Sequence, residues 1–219
     1  MLTKKTIVSG EYVEAFANVH RDILWSREEI DASLSEALEA RPESGEVWLF
    51  GYGSIIWNPL LEYDAREAAT LHGWHRSFCL RTIVGRGCLE RPGRMLSLER
   101  GGFVRGVVLR VTKNRIADEL RTLWIREMVT GAYTPTWADL RLPDGRDITA
   151  LVFTAKPTHP FYEPDTDVLK IAPLVAVASG LMGTNADYVH RLQAALSDCN
   201  VQDPYVDDLV AELHRLSTA

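Results

Sequence analysis

The stretch "WLFGYGSIIW", Trp48 to Trp57, places two glycines and a serine between two runs of apolar and aromatic residues. One interpretation is a turn between two buried segments. The other is a loop whose backbone N–H groups face a ligand, because glycine permits close approach to the main chain and unusual backbone angles. The choice between them depends on the rest of the chain.

Outward from this stretch, short runs rich in Val, Leu, Phe and Trp are separated by turns that contain glycine. The runs are "VWLFGYG", "ATLHGWHRSFCLR", "GRMLSLER", "GFVRGVVLRV" and "ITALVFTA". Strands with few helices between them favour a meander or a barrel over βαβ units. A further Pro-Asp-Gly sequence between apolar runs, in "TWADLRLPDGRDITALVF", predicts a hairpin turn.

Helices are predicted on either side of the strands. Upstream, "SREEIDASLSEALEARPESGE" carries Ser26 as an N-cap, followed by apolar residues at helical spacing. Downstream, "NADYVHRLQAALSDC" has Thr184 or Asn185 as its cap, and "DPYVDDLVAELHRL" has Asp203 as N-cap with Pro204 at the first helical position. We therefore expect residues 1–45 to form an N-terminal helical appendage to a domain that covers residues 46–219.

Composition narrows the class of protein. The 219 residues are 46% hydrophobic and 25% charged, ordinary values for a globular chain with a sizeable core. A net charge of −6 argues against a nucleic-acid partner, which normally selects a basic footprint. No apolar run approaches the ~20 residues that span a bilayer, so we expect no membrane association.

The cellular compartment is predicted from the N-terminus and the cysteines. The first twenty residues, "MLTKKTIVSGEYVEAFANVH", hold no continuous apolar stretch of the kind found in a signal peptide. Three cysteines are too few, and odd in number, for a disulfide framework. The sequence therefore predicts a soluble protein of a reducing compartment, the cytoplasm.

A carboxylate on an apolar helix face is the most informative single feature. Asn114 to Tyr133, "NRIADELRTLWIREMVTGAY", is helical by composition, with Thr112 or Asn114 as cap and Gly131 as its end. At 100° per residue, Glu127 returns to within roughly 20° of the apolar stripe's first residue. The stripe is Ile116, Leu120, Leu123 and Trp124, and the other charged residues are predicted to point elsewhere, with Glu119 at its edge. Glu127 is thus expected to stand alone in the middle of the stripe.

Two interpretations of Glu127 remain open at this point. The side chain could reach past the helix end or pair with an inward arginine. Alternatively, it could be a general base whose pKa is raised by desolvation toward ~6–7, where it can accept and return protons near neutral pH.

The motifs together resemble a known family. "FGYGSIIW", "ERPGRMLSL", "REMVTGAY" and "SGLMGTNADYVHRL" occur in the order found in ChaC-like γ-glutamylcyclotransferases, which act on glutathione. The resemblance runs from about Val47 to about Leu209. It implies an α+β fold, a small and mostly antiparallel β-barrel flanked by helices. It also implies that Glu127 is the catalytic acid/base and that a loop holds the γ-glutamyl group; the loop residues are Gly51, Tyr52, Gly53, Ser54, Ile55 and Ile56.

Two departures from the family pattern stand out. The residue after Gly-Ser is Ile55 where the family has leucine, a volume-conserving change that leaves the backbone donors in place. Ala132 replaces the second glycine before Tyr133 and alters only the turn.

The implied reaction explains why we expect no Ser-His-Asp or Cys-His arrangement in this sequence. The α-amine of a γ-glutamyl group attacks its own γ-carbonyl, which forms 5-oxoproline and releases Cys-Gly when glutathione is the substrate. Ring closure by the substrate's own amine needs no enzyme nucleophile, and we expect no cofactor. A free α-amino group has a pKa near ~8, so a base must remove its extra proton before attack.

Arginines, a tyrosine and a group of histidines and cysteines are further candidates for a functional role. Arginines are concentrated between positions 76 and 110, where they could attract the carboxylates of the substrate or, for most of them, lie on solvated strand faces; Arg94 is the first to test. Tyr133 either donates a hydrogen bond into the site or packs. His72, His75, Cys79 and Cys88 fit no standard zinc spacing, so no metal is expected.

A second class of function stays open. A non-catalytic module could keep the loop and pocket to bind a γ-glutamyl or amino-acid ligand, and another γ-glutamyl peptide or amine could replace glutathione as the substrate. Turnover would separate the enzyme from the module.

Overall fold

The computed structural model describes residues 2–17, 21–42 and 45–218, and its centre is a closed five-stranded barrel. The barrel strands, in chain order, are β1 (Trp48–Gly51), β2 (Tyr63–Thr82), β3 (Gly93–Val111), β4 (Tyr133–Arg141) and β5 (Asp147–Ala155). A two-stranded ribbon follows, with β6 (Ser179–Gly180) and β7 (Gly183–Thr184). The α-helices of the described residues are α1 (Lys4–Val8), α2 (Glu11–Ala17), α3 (Arg27–Glu39), α4 (Ile116–Met128), α5 (Val168–Val177), α6 (Asn185–Asp198) and α7 (Pro204–Ser217).

The barrel order is β1-β3-β2-β4-β5, and every pair in it is antiparallel except the closing pair. That pair joins β1 to β5 in parallel through Leu49 and Leu151. The predicted α+β class and mostly antiparallel barrel are confirmed. Two runs predicted as separate strands form the single long β3, which follows β2 around the barrel through three irregularities of register. The predicted Pro-Asp-Gly hairpin joins β4 to β5.

The helix caps follow the sequence signals closely. Ser26 and Glu29 form a reciprocal capping box at the start of α3. Thr184 caps α6, and Asp203 caps α7 with Pro204 at its first position. Helix α5 gives no amphipathic signal in the sequence, because it is apolar nearly all round and contains a proline.

Helix α4 carries Glu127. Its N-terminal end differs from the prediction, and its C-terminal end agrees with it. A 3-10 turn at Lys113–Arg115 precedes it, and no side-chain cap forms at Thr112 or Asn114. Its C-terminal end agrees with the prediction, since Gly131 adopts a φ of +65° just beyond it. The predicted apolar stripe faces the core, with Leu120, Leu123 and Trp124 buried.

The expectation that Glu127 is the only inward charge on this helix is wrong. Glu119 is 1% exposed and Arg126 is 8% exposed. Both lie on the same flank of α4, roughly 60° and 80° from Ile116 at 100° per residue. The N-terminal segment covers that flank: Lys4 Nζ lies 2.6 Å from Glu119 Oε2, and Tyr12 donates its hydroxyl proton to the Arg126 carbonyl at 3.0 Å.

The N-terminal segment packs against the barrel domain along its described length. Ile7 and Tyr12 form an apolar cluster with Val129, which lies just past the end of α4. The backbone N–H of Trp25 donates to the Val129 carbonyl at 3.0 Å, and Trp137 donates from its indole to the Ala37 carbonyl at 2.7 Å. The domain division at residue 45 stays a prediction. No helix of the described residues has the length and apolar character to cross a membrane.

Gly131 provides a test of this packing, with Gly145 as its matched control. Both glycines have positive φ, +65° and +89°, so alanine strains the backbone at either position. A Cβ on Gly131 would also overlap the indole of Trp25, whereas a Cβ on Gly145 meets nothing within 4 Å. We expect Gly131→Ala to lose about 1–3 kcal/mol more of the free energy of unfolding than Gly145→Ala.

Urea unfolding of the two variants beside the parent protein measures this difference. Equal losses for Gly131→Ala and Gly145→Ala would show that Trp25 does not pack tightly on the end of α4.

Candidate active site

A cavity of about 350 Å³ opens beside the loop that follows β1. The loop, the C-terminal end of α4, the end of β2, helix α6 and the N-terminal segment all contribute to its lining. This volume lies in the range of small-molecule sites, which are mostly apolar with a few placed polar groups.

Four of the six predicted loop residues line the cavity: Tyr52, Gly53, Ser54 and Ile55. Gly51 and Ile56 do not. Gly51 is the last residue of β1, and a Cβ there would meet the Ile55 side chain at 3.0 Å, so this glycine serves packing. Ile56 is 3% exposed, and its N–H donates to the Gly53 carbonyl at 2.9 Å.

Two of the remaining loop amides, those of Gly53 and Ile55, are open to a ligand, whereas the Ser54 N–H is directed at the Tyr188 hydroxyl. No backbone carbonyl of the described residues accepts from the N–H groups of Gly53, Ser54 or Ile55. A Cβ on Gly53 would lie 3.2 Å from both the Tyr188 hydroxyl and the Leu96 side chain, two groups that line the cavity. Gly53 does not have a positive φ, and its lack of a Cβ permits close approach to these two groups.

Glu127 lies at the cavity, as the helix periodicity predicts. Its side chain is 13% exposed, and its Oε1 is 2.9 Å from Arg126 Nε. That guanidinium N–H is not directed at the carboxylate well enough to form a hydrogen bond, which leaves Oε1 buried without a hydrogen-bond partner in the described residues. Burial raises the pKa of Glu127 above its usual value, and the charge of Arg126 opposes this rise.

Arg126 connects Glu127 to the loop, although the helix periodicity predicts that it points away. Its guanidinium donates from Nη2 to Ser54 Oγ at 2.5 Å and from Nη1 to the Asn58 carbonyl at 2.6 Å. The signal that could have identified it is its place beside Glu127 in the motif "REMVTGAY".

Four tyrosines surround the carboxylate, and burial raises the pKa of each above its usual value. Three of them donate to backbone carbonyls: Tyr12 to Arg126, Tyr52 to Phe153 and Tyr133 to Leu96. Tyr133 lines the cavity, and in this structure its hydroxyl donates to the Leu96 carbonyl rather than into the site.

Tyr188 differs from the other three tyrosines. Burial and the charge of Glu127 raise its pKa to about 12, so it stays protonated at neutral pH. Its hydroxyl donates to no backbone carbonyl of the described residues; it accepts from the Ser54 N–H and lies beside the Ser54 hydroxyl. Tyr188 is therefore a neutral hydroxyl at the loop, next to the position of a ligand in the cavity.

The arginine cluster divides between the cavity and the framework. Arg94 does not line the cavity: Asn185 holds its backbone at both N–H and C=O, and its guanidinium lies 3.6 Å from Glu163. Arg76 is buried against Asp203. The cavity arginines are Arg81, Arg86, Arg126 and Arg191.

The histidines and cysteines considered as metal ligands are not grouped into a metal site in the described residues. His72 packs beside Phe103, and His75 lies 3.3 Å from the Gly101 carbonyl. Among residues 2–17, 21–42 and 45–218, no three His, Cys, Asp or Glu side chains are grouped to hold a metal ion.

Solved structures share this fold. A selenomethionine-labelled γ-glutamylcyclotransferase specific to glutathione from yeast superposes with a TM-score of 0.71 at 19% identity, covering 78% of this chain and 97% of its own. At that level of identity the likeness concerns the fold alone.

Sequence comparison gives the family. The chain is 46% identical over 216 residues to the glutathione-specific γ-glutamylcyclotransferase of Escherichia coli (strain K12), covering 99% of this chain and 94% of that protein. It is 33% identical over 174 residues to the glutathione-specific γ-glutamylcyclotransferase 1 of Danio rerio, covering 76% and 88%. The family model described as ChaC-like protein matches residues 47–216. This chain belongs to the ChaC-like protein family.

Proposed function

We propose that this protein is a γ-glutamylcyclotransferase that cleaves glutathione to 5-oxoproline and Cys-Gly, with Glu127 as general acid/base. The single observation that carries the proposal is a desolvated carboxylate in a cavity, next to a loop with open backbone amides. The names of the E. coli and Danio rerio relatives support glutathione as the substrate.

The reaction rearranges one molecule and consumes no water. The α-nitrogen of the γ-glutamyl group forms a bond to the γ-carbonyl carbon, and the amide bond to cysteine breaks. The α-ammonium loses two protons, one before the attack and one as the lactam forms. The departing cysteine nitrogen gains one of them to leave as an amine and the second when that amine becomes an ammonium. Because the attacking group belongs to the substrate, the protein's tasks are to fold the substrate on itself and to move a proton.

Glu127 meets the requirement for a base. A substrate ammonium with a pKa near ~8 must lose its extra proton before it can attack. A carboxylate with a raised pKa is a stronger base than an exposed glutamate and can return the proton to the leaving amine. The substrate's ammonium also supplies a positive partner for the Oε1 atom that lacks a hydrogen bond.

The loop and its neighbours would hold the γ-glutamyl group. The N–H groups of Gly53 and Ile55 and the hydroxyl of Tyr188 are donors for the α-carboxylate or for negative charge that develops on the γ-carbonyl oxygen, and the Ser54 N–H holds the Tyr188 hydroxyl in place. Gly51 and Ile56 keep a supporting role in this proposal, since they shape the loop from its buried side.

The proposed cytoplasmic location agrees with the cysteines. Cys79, Cys88 and Cys199 are all free thiols in the fold. A reducing compartment keeps such thiols reduced.

The first prediction from this proposed function concerns Glu127→Gln, which keeps the shape of the side chain and removes the base. We expect the release of 5-oxoproline from glutathione to fall by ~10²–10⁴-fold. Glu119→Gln is a control for the loss of a buried carboxylate on the same helix that does not reach the cavity of Glu127. A folded Glu127→Gln variant with near-normal release would rule out this role.

Glutathione binding by the parent protein without any release of 5-oxoproline would instead favour the non-catalytic module. A panel of γ-glutamyl dipeptides in the same assay distinguishes glutathione from other γ-glutamyl substrates.

The second prediction concerns pH. A general base must be deprotonated, so kcat/KM should fall as pH decreases through the pKa of Glu127. Because burial raises this pKa, the loss should occur at higher pH than the usual glutamate value of 4.5. A pH profile of kcat/KM between pH 4 and 9 measures it, and a profile that stays flat down to pH 4.5 would contradict the assignment.

The third prediction separates the charge of Arg126 from its hydrogen bonds. The arginine lowers the pKa of Glu127, so Arg126→Met should move the acidic limb of the kcat/KM profile to higher pH. Arg126→Lys keeps the charge but cannot hold Ser54 and Asn58 in one planar fork, so kcat should fall while the limb stays near its original position.

Arg121→Met is the matched control, because Arg121 lies on the same helix, is half-exposed and pairs with Asp31. It should leave the profile unchanged. An acidic limb that does not move in Arg126→Met would show that Arg126 has no electrostatic effect on the base.

A further inference from the structure

The N-terminal segment supplies part of the cavity wall. Its residues Leu2, Tyr12, Phe16 and Ile23 line the same cavity as Glu127. We call these four residues the N-terminal wall. They lie outside residues 47–216, which the family model matches.

One end of the N-terminal wall adjoins Arg126. Tyr12 donates to the Arg126 carbonyl at 3.0 Å, and the Leu2 carbonyl accepts from Asn58 Nδ2 at 3.2 Å. The Asn58 carbonyl in turn accepts from the Arg126 guanidinium. This end of the wall is therefore fixed to the polar groups proposed to handle the γ-glutamyl head.

The other end of the N-terminal wall is apolar. Phe16 and Ile23 pack against a cluster made of Ile83, Val84 and Phe161. Both residues are partly buried and line the cavity. The Phe16 ring also meets the Tyr12 ring edge-on at 5.1 Å, which continues the wall from the polar end to the apolar end.

The two ends suit different parts of the substrate. A γ-glutamyl head carries an ammonium and a carboxylate, which need Glu127 and the loop amides. Phe16, Ile23 and the cluster behind them present aliphatic and aromatic surface, with the Arg81 guanidinium 5.2 Å from the Phe161 ring centroid. This surface suits the side chain of the residue that follows the γ-glutamyl group, a cysteine in glutathione, and the Arg81 charge suits a carboxylate further along the substrate. Bulky groups on that sulfur would meet Phe16 and Ile23.

We infer that the N-terminal wall determines substrate specificity, with Phe16 and Ile23 limiting the size of the side chain next to the γ-glutamyl group. This inference rests on the proposed function for the position of the substrate. It gives the segment a role in the site: the barrel domain supplies the chemistry, and the N-terminal segment restricts what enters. The E. coli relative spans 99% of this chain, so its match includes this segment.

The test compares glutathione with S-methylglutathione and S-hexylglutathione in the parent protein, Phe16→Ala and Ile23→Ala. One extra or missing methylene on a substrate in a hydrophobic pocket typically changes discrimination by ~10–200-fold. We expect each variant to raise kcat/KM for S-hexylglutathione relative to glutathione by about tenfold or more. S-methylglutathione should change less, because a single methyl group requires little extra space.

Val13→Ala is the matched control. Val13 lies on helix α2, as Phe16 does, and packs in the apolar cluster of the N-terminal segment. It does not line the cavity. It should leave the ratio of kcat/KM values unchanged even where it lowers stability. Unchanged ratios in both Phe16→Ala and Ile23→Ala, or an equal change in Val13→Ala, would overturn the inference.

Ligand binding separates this inference from the proposed function. Measured in the Glu127→Gln background, so that glutathione is not consumed, the ligand-induced rise in Tm gives the ratio of Kd values for S-hexylglutathione and glutathione. If the parent protein released no 5-oxoproline, the proposed function would fail. A shift of the Kd ratio in Phe16→Ala and Ile23→Ala alone would still support the role of the N-terminal wall in specificity. Normal release by the parent with unchanged Kd and kcat/KM ratios would reject the wall alone.

Discussion

The buried guanidinium of Arg126 is the interaction on which the site depends. A charge removed from water needs close partners, and Arg126 finds them in Ser54, the Asn58 carbonyl and Glu127. These contacts hold the end of α4 against the loop after β1, two segments far apart in sequence. The same charge moderates the pKa of Glu127, since desolvation raises it and Arg126 opposes the rise.

The N-terminal segment maintains the environment of that charge. It covers the flank of α4 on which Arg126 lies and thereby limits the water that can reach it. On the same flank, Glu119 pairs with Lys4 and accepts from the Glu62 backbone N–H at 2.9 Å. The N-terminal segment precedes the barrel domain in the sequence, yet it lowers the effective dielectric constant around Arg126 and Glu127. Charge interactions strengthen there because water is excluded.

Three hydroxyl groups around the cavity donate their protons to the protein itself. Tyr12, Tyr52 and Tyr133 each donate to a backbone carbonyl, which fixes their rings around the carboxylate. The donors that remain near Glu127 are the loop amides and the Tyr188 hydroxyl, and the guanidinium groups of Arg81, Arg86 and Arg191 also line the cavity. Donors set in advance need no reorganisation when charge develops on a substrate, which is the main advantage of a preorganised site.

The sequence by itself determined the features that depend on local chemistry. The strand runs, the hairpin, the caps at Ser26 and Asp203 and the inward direction of Glu127 follow from spacing and capping within a few residues. The family motifs also led to the α+β barrel. Only the tertiary structure decided which flank of α4 is covered, since a helical wheel cannot show what another segment packs on. For that reason the burial of Arg126 and the cavity wall at Phe16, which both depend on contacts between residues distant in the chain, were absent from the sequence pattern.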